Sequence, residues 1–109
     1  MSHLCRDRMH VYLDEFLKGA KTEAQIKDAI IKAYSKLESE WVEFTSLAYK
    51  NGFPKSAYVG SCALIAIVVD NKLYVANSGD SKAVLLRQKG EDFESVNVSR
   101  TFNANKKSE

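Results

Sequence analysis

Apolar residues recur along the first half of the chain at steps of three and four. Cys5, Met9, Tyr12, Leu13 and Phe16 keep a period near that of an α-helix, with Arg6, Asp7, Asp14 and Lys18 between them. This pattern predicts an amphipathic helix over about 3–18, ended by Gly19. Thr22-Glu23-Ala24-Gln25 then has the form of a capping box, in which a hydroxyl and an amide side chain satisfy each other's backbone N–H groups. A second stripe follows: Ile26, Ala29, Ile30, Ala33, Tyr34, Leu37, Trp41, Phe44, Leu47 and Ala48. The opposite side carries Lys27, Asp28, Lys32, Lys36, Glu38, Glu40 and Glu43. A long helix over about 22–50 is predicted, stopped by Lys50-Asn51-Gly52 and Pro54.

After Pro54 the helical period is lost. Short apolar runs take over, Ala63 to Val69, Leu73 to Ala76 and Ala83 to Leu86, separated by Asp70-Asn71 and by Asn77-Ser78-Gly79-Asp80-Ser81. Runs of this length, rich in Val, Ile and Leu and broken by Asp, Asn and Gly, read as strands joined by tight turns. The expectation is an antiparallel meander with strands at about 61–69, 73–77 and 82–87. Gln88 to Asp92 reads as a hairpin loop, and Phe93 to Val98 as a fourth strand over 93–98. A polar tail, 99–109, closes the chain. The first strands show little alternation, which suggests cover on both faces. The long helix is expected to pack on one of them. The fold class is therefore α+β, two long antiparallel helices packed on an antiparallel β-meander, in a single partial domain over 1–109.

Bulk properties narrow the field. A chain of 109 residues fits one small domain, and its 45% hydrophobic and 28% charged residues are ordinary for a globular protein. A net charge of +2, with no basic run beyond Lys106-Lys107, argues against nucleic acid. No apolar stretch is long enough to cross a bilayer, and MSHLCRDRMH carries charges where a signal peptide needs an apolar segment. No membrane partner is expected, and an intracellular, cytoplasmic location is. Cys5 and Cys62 belong to no close-spaced pair, so both are expected to be buried thiols in a reducing compartment. His3 and His10 lack the i, i+4 spacing of a helical metal pair and read as surface or partly packed histidines. Asn97-Val98-Ser99 matches the glycosylation triplet only by chance.

Two segments resemble a known family. Gly60-Ser61-Cys62-Ala63, followed by Leu73-Tyr74-Val75-Ala76-Asn77-Ser78-Gly79-Asp80-Ser81-Lys82-Ala83-Val84-Leu85, is similar to the core of the protein phosphatase 2C family, the metal-dependent protein serine/threonine phosphatases. That family reads Gly-Ser-Thr-Ala, a strand, a turn, then Leu-Tyr-Val-Ala-Asn-x-Gly-Asp-Ser-Arg-Ala-Val-Leu. The resemblance implies part of an α-β-β-α sandwich. It marks Gly60, Ser61, Gly79, Asp80 and Ser81 as motif residues.

Hydrolysis of a phosphate monoester is slow without help, and two divalent ions supply it by binding the phosphate and activating a water. Hard ions of this kind need several carboxylate oxygens at one point. The family takes them from an Asp-Gly-His-Gly-Gly motif before the first helix, a Ser-Asp-Gly motif and a late Asp-Asn pair. None of these is in the sequence, and Asp70-Asn71 is read as the turn between two strands. The chain resembles an internal slice of the domain, starting about where the first metal motif ends. The resemblance leaves Asp80 as a third-site metal candidate, against the plainer reading that it caps its turn. Gly79 has the local explanation of a positive φ. No catalytic residue is assigned. No cofactor is expected for this chain alone, with Mg2+ or Mn2+ in the complete domain. Three readings follow: a phosphatase fragment inactive alone, a non-catalytic binding or structural subunit, or an unrelated α+β domain. Another protein or chain is expected to cover the open face of the sheet, with a phosphoprotein substrate only when the domain is complete.

Overall fold

The computed structural model describes residues 1–101. They fall into two compact units, Met1–Ser61 and a second that begins at Cys62. The expected tail from 102 onward lies outside the described residues.

The first unit is a helical hairpin. Helix α1 runs over Ser2–Leu17 and helix α2 over Glu23–Lys50. Gly19, at φ 76°, lets the chain leave α1 in the left-handed region that a Cβ disfavours. The capping box forms as expected. Gln25 N donates to Thr22 Oγ1 at 3.2 Å, and Thr22 N donates to Gln25 Oε1 at 3.2 Å. Gln25 Oε1 also accepts from Lys21 N at 2.8 Å, so one side chain settles two backbone donors outside the helix. At the other end Asn51 Nδ2 donates to Leu47 O at 2.8 Å, and Phe53 N to Ala48 O at 2.8 Å. A 3₁₀ turn over Pro54–Tyr58 follows, and Trp41 Nε1 donates to Val59 O at 3.3 Å.

The core of this unit is the seam between the helices. Met9 and Tyr12 on α1 are buried, as are Ile26, Ala29, Ile30, Ala33 and Leu37 on α2. Around the seam Tyr12 donates its hydroxyl to Glu40, and Lys36 lies 3.5 Å from Glu15 and 4.7 Å from the centre of the Tyr12 ring. The long stripe on α2 is thus divided. Its first half is buried, whereas Phe44 and Leu47, on the same period, are exposed. Helix α1 has only 16 residues against 28 in α2, so it cannot cover the whole stripe.

The second unit is built from two hairpins. Strand β1, Ala63–Val69, pairs antiparallel with β2, Lys72–Ser78, in the register Ala63↔Ser78 to Val69↔Lys72. Strand β3, Val84–Lys89, pairs with β4, Asp92–Asn97, in the register Val84↔Asn97 to Lys89↔Asp92. Asp70 and Asn71 both take positive φ, 50° and 62°, the backbone of a two-residue turn whose twist matches its strands. Asp and Asn tolerate that region better than most residues. The second loop is only Gly90-Glu91, shorter than the expected 88–92, because the strands continue through Gln88 and Lys89. Arg87 and Glu94 face each other there as an ion pair at 2.8 Å.

The α+β class holds, but the strands do not form one continuous meander. β2 and β3 are not hydrogen-bonded, and the four strands make two separate two-stranded sheets. The reason lies in the five residues between Ser78 and Val84. The carbonyls of Gly79 and Ser81 are taken by the Asn77 side chain, and the N–H and carbonyl of Ala83 by Ser99 and Val98, so no tight hairpin closes between β2 and β3.

Candidate functional site

The turn after β2 collects most of the motif residues. Gly79 has φ 110°, open to glycine and strained for other residues. It is also crowded. A Cβ at position 79 would lie 2.5 Å from Cys62 Sγ and 3.3 Å from Cys62 Cα. The missing side chain is what lets the residue before β1 approach this turn. Cys62 Sγ then donates to Asp80 Oδ1 at 3.2 Å.

Asn77, the penultimate residue of β2, ties the turn together. Its Nδ2 donates to Gly79 O at 3.0 Å, Ser81 O at 2.9 Å and Arg100 O at 2.7 Å. Ala83 continues the contact with the returning chain: its N–H donates to Ser99 Oγ at 2.8 Å, and its carbonyl accepts from Val98 N at 3.2 Å. The turn bearing Asp80 is therefore pinned both by β2 and by the segment that follows β4.

Gly79, Asp80 and Ser81 are thus brought together with Cys62, while Gly60 and Ser61 close the first unit. Two expectations change. Cys62 is exposed rather than buried, and Cys5 is only partly covered. Asp80, expected to cap its turn by accepting from backbone amides, accepts instead from Cys62 Sγ, and the turn is held through its carbonyls by the Asn77 amide, which offers two N–H groups. Neither Asn77 nor Cys62 stood out in the sequence. The available signal was an Asn placed two residues before a Gly, a common arrangement for side-chain-to-backbone turns. His3 and His10 are exposed on α1, and Lys82 is exposed beside the turn.

Among the described residues, no three His, Cys, Asp or Glu side chains come together at a spacing that could hold a metal ion. Among the described residues Asp80 has one thiol beside it and no second carboxylate bonded into the cluster. A pair of hard divalent ions needs several oxygen ligands for each ion, so these residues do not fit such a centre unaided. Among the described residues, no helix is long and apolar enough to cross a membrane.

Comparison with known proteins gives the turn its context. The profile of the family described as protein phosphatase 2C matches residues 1–109. "Probable protein phosphatase 2C 78" of Oryza sativa subsp. japonica is 40% identical over 102 residues, covering 94% of this chain and 25% of the relative. "Probable protein phosphatase 2C 79" of Arabidopsis thaliana is 39% identical over 84 residues, covering 77% of this chain and 21% of the relative. "Probable protein phosphatase 2C 64", also of Arabidopsis thaliana, is 36% identical over 84 residues, covering 77% and 20%. The chain thus spans between 20% and 25% of the length of these relatives. No solved structure matches it. With the match running from the first helix to the last residue, and the glycine-aspartate turn inside it, the chain belongs to the protein phosphatase 2C family.

Proposed function

We propose that this chain supplies the helical hairpin and the Asp80-bearing hairpins of a metal-dependent protein serine/threonine phosphatase domain, and that these 109 residues do not hydrolyse phosphate monoesters by themselves. The observation that carries the reading is the donor set. Asp80 sits on a pinned turn of a phosphatase 2C chain, but no further carboxylates gather around it among the described residues. In the complete domain Mg2+ or Mn2+ would supply the activated water and charge compensation. Asp80 would then be one ligand at the rim of that centre, and the substrate a phosphoprotein.

A covering chain belongs to the same proposal. Strand β3 is exposed along its whole length, with Leu86 at 69%, and Phe93 on β4, which pairs with Gln88, is 70% exposed. A single two-stranded hairpin is marginal in water, and apolar side chains on it gain by being covered. Either further residues of the same domain or a second protein would provide that cover.

The test is hydrolysis of p-nitrophenyl phosphate with excess manganese, by residues 1–109 and by the full-length protein. Turnover is expected from the full-length protein alone. Metal-dependent turnover by the 109 residues would refute the reading. A second reading, a non-catalytic binding subunit, draws on Ser99-Arg100-Thr101-Phe102, which falls where the resemblance implies Ser-x-Asp-His, so that Thr101 and Phe102 stand in place of the acid and the imidazole. A folded full-length protein without turnover would favour it.

A further inference from the structure

Asp80 is exposed, yet it is held from two directions. An exposed aspartate with no partner samples several staggered rotamers. Here Oδ1 accepts from the Cys62 thiol at 3.2 Å, which leaves Oδ2 uncommitted among the described residues. The backbone on either side is fixed as well. Asn77 Nδ2 donates to Gly79 O and Ser81 O, the carbonyls directly before and after Asp80, at 3.0 and 2.9 Å. A third acceptor, Arg100 O, lies at 2.7 Å. An amide nitrogen carries two hydrogens, so three carbonyls share them. Reversing the amide would set its oxygen against all three carbonyls, so the orientation follows from the surroundings. Meanwhile Asn77 Oδ1 is buried with no partner among the described residues. Leaving a buried acceptor unpaired is costly. The fold tolerates it where the donor end is fully used on the Asp80 turn.

We propose that Asn77 and Cys62 are the positioning residues of the Asp80 carboxylate: Asn77 sets its backbone, Cys62 holds one oxygen, and the other is presented outward. Gly79 is the third part of the device, because any side chain there would displace the thiol. The ordering cost of the carboxylate is then met in folding rather than at the moment a ligand binds. Partners that orient a ligand in this way commonly matter nearly as much as the ligand itself.

The inference rests on Asp80 lying at the rim of a metal centre in the complete domain, and the experiment separates the two claims. In the full-length protein, the manganese dependence of p-nitrophenyl phosphate hydrolysis is measured for Asp80→Ala, Asn77→Asp, Cys62→Ala and Cys62→Ser. Melting temperature is recorded for each, and crystal structures show the residue 80 side chain. Asn77→Asp keeps the shape and removes the donors. It is expected to raise the half-saturating manganese concentration about 10-fold, with a smaller change in KM for substrate. Cys62→Ala moves it the same way, and Cys62→Ser, which keeps a donor, restores it. If Asp80→Ala shifts the manganese dependence while Asn77→Asp and Cys62→Ala do not, positioning is overturned and the metal-rim reading stands. If Asp80→Ala changes nothing, the metal-rim reading fails. Positioning is then judged by the crystal structures, where an unmoved Asp80 in both variants overturns it. Should Asn77→Asp fail to fold, the Cys62→Ala and Cys62→Ser pair decides the matter alone.

Discussion

Leu37 and Phe44 lie seven residues apart on one stripe of α2, and the structure assigns them opposite energetics. Leu37 is 2% exposed in the seam with α1, and Phe44 is 56% exposed. Replacing Leu37 by alanine removes three carbon atoms from a packed site. At about 0.8 kcal/mol per buried methylene, the transfer part alone approaches about 2 kcal/mol. The cavity left behind adds to it, and buried Leu→Ala changes span about 2.7–5.0 kcal/mol. A loss of about 3 kcal/mol is therefore expected for Leu37→Ala. Phe44→Ala gives up a ring already mostly in water, and with it a tilted contact to Trp41 at a centroid distance of 5.6 Å. That contact is worth about 0.5–1.5 kcal/mol. Both α-helices belong to the first unit, so far-ultraviolet circular dichroism during urea or thermal unfolding reports on this unit. Trp41, the single tryptophan, gives a second local probe. At roughly 4–8 °C per kcal/mol for a domain of this size, Leu37→Ala lowers the midpoint by more than about 12 °C and Phe44→Ala by less than about 12 °C. Equal losses, or a larger loss for Phe44→Ala, would refute the division of the stripe.

Three other outcomes are expected. Gly79→Ala places a Cβ 2.5 Å from Cys62 Sγ at φ 110°, so it destabilises the second unit by at least about 1–3 kcal/mol; adding Cys62→Ala recovers the overlap with sulfur but not the backbone strain, as read by amide exchange over 62–83. Thr22→Ala removes the acceptor for Gln25 N and lowers the stability of the helical hairpin by about 1 kcal/mol, measured by urea titration. Tyr12 titrates above the ordinary tyrosine value because it donates to Glu40, and Tyr34 is pushed up to about 12 by burial, with Cys5 adding to the shift. Both groups bind their proton more tightly when folded. Their contribution is fully present below a pH of about 10 and is lost as pH rises through the folded values, so helicity followed against pH falls in that alkaline range and Tyr12→Phe shallows the fall.

Much of the first unit was legible in the order of residues. A period near 3.6, a Thr-x-x-Gln box and a glycine stop are local signals, and they placed α1 and α2 close to their observed ends. What periodicity could not show is how much of a stripe finds a partner. The stripe on α2 is apolar throughout, but burial depends on the length of α1, a matter of packing between segments. In the second unit Asp70-Asn71 marked its own turn, because two adjacent left-handed residues suit that pair. The strand pairing that the sequence suggests fails where Asn77 intervenes, and β2 and β3 are not hydrogen-bonded. A strand-turn-strand pattern in Asn77 to Ser81 reads as a hairpin until the amide is seen to take the carbonyls of the turn.

The family and the glycine-aspartate turn were determined by sequence, since both reside in contiguous residues whose chemistry is fixed when the chain is made. Tertiary structure alone decided that Cys62 meets Asp80 across 18 positions and that Asn77 reaches Arg100 across 23. Such contacts depend on which distant segments the fold draws to within hydrogen-bonding distance, and no local period encodes that.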